Sequence, residues 1–212
     1  MTKADSCAER VRCGDSSALA EAFDLHRARL RRTVHFRMPE KLRGRIDADD
    51  VLQDAYLSAQ KRHEHLRGDD ETSLFVWLRL IVLQTLTDAH RMHLGSEKRN
   101  ADREKVIRSS PYSQATTFSL AASLLGRFTS PTLAARKSEM SEQLRSALEN
   151  MDPIDREVLA LRHFEEMSNT EVAAELGIQQ KAASIRYVRA LGRFKDLLES
   201  VPGFTQNTRQ TR

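Results

Sequence analysis

The strongest constraint on the fold comes from residues 168–190, SNTEVAAELGIQQKAASIRYVRA. Ser168, followed three residues later by Glu171, forms the pattern of a capping box, which begins a helix. Gly177 then supplies the positive φ that a sharp turn requires. A second helix is predicted from about residue 179 to residue 199. A short capped helix, a glycine turn and a second helix together predict a helix-turn-helix.

The second of these helices carries side chains suited to nucleic acid. Glutamine and arginine make paired hydrogen bonds to adenine and guanine edges, and lysine and serine reach phosphates. The predicted DNA-binding residues are Gln179, Gln180, Lys181, Ser184, Arg186 and Arg189, beside a predicted core stripe of Ala183, Tyr187, Ala190, Leu191, Phe194 and Leu198. The alternative is a helical hairpin whose basic face is only solvated.

Helical periodicity also runs through the first half of the chain. Apolar residues recur at helical spacing over 18–37, from about residue 47, and from about 74 to 93. The expected core residues are Leu19, Ala22, Phe23, Leu30, Val34, Val51, Leu52, Ala55, Tyr56, Ala59, Leu74, Trp77, Leu78, Ile81, Val82 and Leu86. No strand-like alternation occurs in the sequence, so the predicted fold class is all-α.

A second helical unit is predicted from about residue 138. Asp152 suits the N-cap of a helix and Pro153 its first position. Between the two helical regions lies a stretch without any charged residue, 109–126, rich in Ser, Thr and Ala. This composition predicts a linker over 106–137, with a short helix at 120–125. Two alternatives stay open for the linker, docking against a domain or partner, and a disordered tether.

Composition narrows the class of protein. The net charge of +4 and the pI of about 9.3 hint at a polyanionic partner. No segment approaches the roughly 18 apolar residues of a membrane span, and the N-terminus lacks a signal-peptide core, so a cytoplasmic protein is expected. The two cysteines, Cys7 and Cys13, cannot complete a zinc site alone. No catalytic motif is present, so neither an enzyme activity nor a cofactor or metal is expected.

Three segments together resemble a known family. The segment 148–198, from LENMDPIDREVLALRHF to GRFKDLL, resembles region 4 of bacterial sigma factors in the extracytoplasmic-function (ECF) group of the sigma-70 family. RIDADDVLQDAYLSA resembles the acidic helix of region 2, and SLFVWLRLIVLQTLTDAHR the helix that follows it. The resemblance implies a tail over 1–17, a region 2 helical bundle over 18–105, the linker, a region 4 helix-turn-helix domain over 138–199, and a tail over 200–212.

The resemblance also implies a function. Members of the family bind core RNA polymerase, recognise the minus-ten and minus-thirty-five promoter elements, and help to open double-stranded DNA into single strands. Asp50, Gln53 and Asp54 match the family's polymerase-binding helix. For the downstream element, the candidates are Arg79, Gln84, Asp88, Arg91, Lys98 and Arg99, with the loop at about 63–72. No membrane and no small-molecule substrate are expected, and an anti-sigma partner is left open.

The chain departs from the family pattern in three places, and we expect an unusual upstream element. Ala182, Ala183 and Ser184 replace the usual Thr-Val-Lys, so one phosphate-binding lysine is missing, and Lys181 is the candidate to replace it. Gln84 stands where the family often has asparagine, and Gln179 stands where a serine usually caps the recognition helix. The main alternative function is a stand-alone helix-turn-helix regulator. Such a regulator would bind palindromic sites as a dimer.

Overall fold

The computed structural model describes residues 3–39, 41–63, 73–94, 114–128 and 137–200. These residues form helices and their connections, with no β-strand among them, so the all-α prediction is confirmed. The chain divides into two compact units. The first comprises 1–100 with 173–178, and the second comprises 101–172 with 179–212.

The first unit contains four helices among the described residues: α1, Lys3–Arg12; α2, Ser16–Arg37; α3, Ala48–Arg62; and α4, Leu74–Leu94. Helix α1 lies in the segment expected to be an N-terminal tail, and it packs against α2 through Cys7 and Val11, both buried. Asp15 caps α2 by accepting from the backbone amides of Ser17 and Ala18.

Helices α2, α3 and α4 pack pairwise around one core. The apolar stripes predicted for them are buried with two exceptions, since Tyr56 and Trp77 are half-buried. Phe75 was not predicted and is buried, with the guanidinium of Arg29 lying 3.6 Å above its ring. Such a contact adds a cation–π attraction to the apolar packing. Phe36 of α2 is buried as well and was not predicted. The spacing of the stripes therefore located this core but did not include these two aromatic residues.

The second unit contains α5, Gln114–Phe128; α6, Lys137–Glu149; and α7, Pro153–Leu159. Helix α8, Asn169–Leu176, is divided between the units, because its residues from Ala173 onward belong to the first unit. Helix α9, Gln180–Ser200, belongs to the second unit. Helix α7 continues as one π-helical turn, Ala160–Phe164. Asp152 caps α7 as predicted, its carboxylate accepting from the amide of Ile154 at 2.8 Å. The predicted stripe of α9 is only partly buried, because Leu191 is 38% exposed.

Helix α5 occupies the uncharged segment that was predicted to be a linker, and it is longer than the short helix expected at 120–125. It packs on α6 and α7. The hydroxyl of Thr116 donates to a carboxylate oxygen of Glu157 at 2.7 Å, and both side chains are buried. Of the two alternatives for the linker, the described part therefore shows a docked helix. The domain limits inferred from the sequence remain predictions.

Three consecutive charged residues of α7 are buried: Asp155, Arg156 and Glu157. One guanidinium nitrogen of Arg156, Nη1, lies 2.7 Å from the carbonyl oxygen of Leu148, 3.0 Å from that of Glu149 and 2.8 Å from that of Met151. The last carbonyls of a helix have no partner within the helix. Arg156 therefore supplies the C-terminal cap of α6.

Candidate nucleic-acid interface and acidic helix face

The turn between α8 and α9 has the geometry predicted from its sequence. The hydroxyl of Ser168 accepts from the amide of Glu171 at 3.2 Å, and the Glu171 carboxylate accepts from the amide of Ser168 at 2.7 Å. Gly177 has a φ of 64°, and the amide of Ile178 donates to the carbonyl of Ala173 at 3.0 Å. The capping box and the glycine turn are thus both present, and they set the direction in which α9 begins.

Ser184, a predicted DNA contact, is half-buried and already hydrogen-bonded. Its hydroxyl accepts from the side-chain amide of Asn169 at 2.8 Å and donates to the carbonyl of Gln180 at 3.2 Å. A serine has a single O–H proton. Since the carbonyl of Gln180 takes that proton, Ser184 holds α9 against the start of α8 and cannot also donate to a phosphate in this conformation.

Arg186, another predicted DNA contact, faces a buried carboxylate. Asp155 lies with one oxygen 2.6 Å from Nη1 of Arg193 and the other 3.6 Å from Nη1 of Arg186. The Asp155 side chain is only 4% exposed, whereas the Arg186 side chain is 39% exposed. A buried carboxylate needs compensating charge. The two arginines therefore anchor α9 on the N-terminal turn of α7.

The remaining predicted contacts of this helix lie on the surface. Gln179, Gln180, Lys181 and Arg189 are exposed. Two apolar residues of α9 that were not predicted to be on its surface, Ile185 and Val188, are 45% and 68% exposed. Their signal in the sequence is their spacing, which places them out of phase with the buried Ala183 and Ala190.

On α4, the predicted downstream residues Gln84, Asp88 and Arg91 are exposed. They line an open groove of about 460 Å³ between the end of α3 and the second half of α4. Arg62 also lines this groove and donates a hydrogen bond to the side-chain oxygen of Gln84. Nη1 of Arg91 lies 3.4 Å from a carboxylate oxygen of Asp88. The groove is therefore polar and carries both donors and acceptors.

Two parts of the downstream prediction are not found on this surface. Arg79 is 1% exposed, and its guanidinium lies 2.7 Å from the carboxylate of Glu175, which belongs to the same compact unit. A side chain buried in this way does not reach DNA from this conformation. Lys98 and Arg99, like most of the loop at 63–72, lie outside the described residues.

The acidic face of α3 is exposed as expected, with Asp50, Gln53 and Asp54 all on the surface. Asp50 has a second role, because its carboxylate accepts from the amide of Asp47 at 3.4 Å and completes a capping box. Asp49 is turned toward α2, where it lies 3.2 Å from Arg27. An open groove of about 440 Å³ beside this face is lined by both helices.

Helix α2 carries a basic run, Arg27, Arg29, Arg31 and Arg32, which is partly neutralised by contacts within its own unit. Arg27 and Arg31 both lie within 4 Å of the Asp49 carboxylate, and Arg29 covers the ring of Phe75. Exposed ion pairs of this kind stabilise a protein only weakly. They nevertheless reduce the positive charge that this helix presents to a polyanion.

Among the described residues, no helix is both long and apolar enough to cross a bilayer. The sequence matches the ECF sigma factor family model over residues 1–196. Among solved structures, the chain is similar to CnrH, determined in complex with the cytosolic domain of CnrY. That similarity has 23% sequence identity and a TM-score of 0.49, and it covers 92% of this chain and 97% of that chain. No curated protein matches the sequence. Because the family match extends from the first residue into the last turns of α9, the chain belongs to the ECF sigma factor family, whose members act in transcription initiation.

Proposed function

We propose that this ECF sigma factor binds core RNA polymerase through α3 and recognises the two promoter elements through α4 and α9. The observation that carries the proposal is the presence in one chain of an exposed acidic helix face and a helix-turn-helix with an exposed polar first turn. A stand-alone regulator would need only the second of these features.

The polymerase contact consists of Asp50, Gln53 and Asp54. Their spacing of three and four residues places them on one side of α3. Gln53 and Asp54 are exposed, so their polar groups are available to an arginine-rich partner surface. Asp50 contributes one carboxylate oxygen to the helix cap, which leaves the other for a partner. The face therefore combines two carboxylates and an amide on a helix with a fixed N-terminus.

The upstream element is bound by the first turn of α9, where Gln179, Gln180 and Lys181 are exposed. A recognition helix presents its N-terminal residues to base edges. Glutamine suits adenine, and lysine suits a guanine edge or a phosphate. Arg189 lies further along the helix and is suited to the backbone.

The downstream element is bound at the groove between α3 and α4. Gln84, Asp88 and Arg91 supply an amide, a carboxylate and a guanidinium within two turns of one helix. Bases of single-stranded DNA expose their hydrogen-bonding edges. A surface with both donors and acceptors can bind such an edge and so favour the open form of the promoter.

The test is run-off transcription with purified bacterial core polymerase and a library of genomic fragments. The double variant Gln53→Ala, Asp54→Asn removes the exposed contact and keeps Asp50, whose replacement would also remove one hydrogen bond of the capping box. The matched control is Asp49→Asn, which removes a carboxylate from the same helix where it faces Arg27.

Specific transcripts are expected with the wild-type protein and with the control, and at least tenfold fewer with the double variant, the ratio that about 1.4 kcal/mol of lost binding produces. Specific DNA binding without polymerase, combined with no transcripts in its presence, would show instead a conventional regulator. Equal loss in the double variant and the control would place the polymerase contact elsewhere.

A further inference from the structure

The exposed side of α9 carries a stripe that includes apolar side chains, and hydrogen bonds to DNA do not explain these. Lys181, Ile185, Val188 and Gly192 follow one another at intervals of four, three and four residues, which places them on one side of a helix. All four are exposed. The opposite side holds the buried Ala183 and Ala190.

Two β-branched apolar side chains on this stripe face solvent. Ile185 is 45% exposed and Val188 is 68% exposed, so neither contributes fully to the core. Apolar residues scattered singly on a surface need no explanation. Ile185 and Val188 lie about one turn apart on α9, the helix whose first turn is the predicted DNA contact. Lys181 precedes them on the same stripe.

The charge around the stripe identifies its partner. From residue 180 to residue 195, α9 contains five basic residues and no acidic one. A protein partner of ordinary mixed charge gains little from such a helix, whereas a DNA groove with phosphates along both edges matches it. Within the major groove, the only strongly apolar group on a base edge is the C5-methyl of thymine.

We infer that Ile185 and Val188 contact thymine methyl groups in the upstream promoter element and so determine part of its sequence. This inference rests on the proposed function and adds a specificity that the polar residues of the first turn cannot supply. At Gly192 an added Cβ would meet no atom within 4 Å, so nothing in the described structure blocks the stripe at that end.

The test replaces thymine by deoxyuridine, which removes the methyl group and keeps every hydrogen-bonding group of the base. A promoter used by the holoenzyme is synthesised with each thymine of the upstream element replaced in turn, on either strand. Burying one methyl group corresponds to about fourfold in affinity. The wild-type holoenzyme is therefore expected to bind about fourfold more weakly at one or two of these positions.

The variants Ile185→Ala and Val188→Ala connect the effect to the protein. Both residues are exposed, and alanine favours a helix, so each variant is expected to fold. Each should bind the normal promoter more weakly and should lose the response to deoxyuridine at the position it contacts. Leu25→Ala is the matched control, since Leu25 is 43% exposed on α2, and it should keep the full response.

The outcomes separate this inference from the proposed function. If no genomic fragment is transcribed, the proposed function fails and this inference fails with it. If transcription is specific but deoxyuridine has no effect at any position, or if its effect persists in both alanine variants, only the contact with thymine methyls is overturned. An upstream element composed of G·C pairs alone would also overturn it.

Discussion

Replacing Arg156 by methionine should destabilise the second unit while leaving the first unchanged. Arg156 is 7% exposed and binds three carbonyl oxygens at the C-terminal end of α6. Burial lowers the pKa of its guanidinium, although an arginine remains protonated at any physiological pH. Methionine keeps an unbranched apolar chain at the site but cannot donate to the carbonyls.

The expected loss of unfolding free energy follows from the number of hydrogen bonds that Arg156 can donate. Nη1 carries two protons for the three carbonyls, so two hydrogen bonds are the appropriate number. Hydrogen bonds to a charged group are worth about 1.5–3 kcal/mol each, which gives a gross loss of about 3–6 kcal/mol. The variant no longer buries a cation, and this gain offsets part of the loss. The expected decrease in the free energy of unfolding is therefore about 3 kcal/mol.

Denaturant unfolding of the full chain can measure this decrease because fluorescence and circular dichroism distinguish the first unit from the second. Trp77 is the only tryptophan of the sequence and belongs to the first unit, so its fluorescence reports that unit alone. Far-UV circular dichroism reports the helices of both units. The circular-dichroism transition of Arg156→Met should shift to lower denaturant, and the fluorescence transition should not.

The control is Lys195→Met, which removes a cation from the same unit. The Lys195 side chain is 74% exposed, and its Nζ lies 3.9 Å from a carboxylate oxygen of Glu199. An exposed pair at this spacing contributes about 0.3–0.5 kcal/mol. A decrease of less than about 1 kcal/mol for Arg156→Met would refute the capping argument, given the hydrogen-bond values above. So would an equal decrease in the control.

Two further predictions concern a surface cap and the docked helix. The hydroxyl of Ser17, followed by the guanidinium of Arg10, lowers the pKa of Asp15 to about 2, so the stabilisation from its carboxylate is complete above pH 4 and is lost as the pH falls from about 4 to about 2. Ser17→Ala should raise the pKa of Asp15 in a carboxyl NMR titration, and an unchanged value would contradict this. Thr116→Val should lower the stability of the second unit by about 1–3 kcal/mol because the buried bond to Glu157 is lost, whereas Thr116→Ser should retain it. Equal circular-dichroism midpoints for the two variants would refute that reasoning.

The parts of the fold that the sequence predicted correctly depend on near neighbours. The caps at Asp152 and Ser168 each involve partners within three residues, so the pattern and the contact coincide along the chain. The apolar stripes follow from helical period alone. Helix α1 was not predicted because its sequence is mostly polar, and Cys7 and Val11 are the only buried residues between residues 6 and 12.

The parts that the sequence did not predict depend on distant partners. Asp155 pairs with Arg193, 38 residues away, and Glu157 binds Thr116, 41 residues away. A charged residue in a helix is normally assigned to the surface unless its partner is known. The burial of these carboxylates therefore could not be predicted from periodicity, and neither could the docking of an uncharged segment on the second unit.

Partners distant in the sequence also decide which of the predicted DNA contacts are exposed. Helical phase separated polar from apolar positions on α9, but it could not show that Asp155 lies beside Arg186 or that Asn169 binds Ser184. For Arg186 to bind a phosphate, it would have to leave a carboxylate that is 4% exposed. Arg193 lies closer to that carboxylate, at 2.6 Å, and would still neutralise it. DNA binding by Arg186 would then depend on the pair between Asp155 and Arg193, so Arg193→Ala should weaken upstream recognition without any contact between Arg193 and DNA.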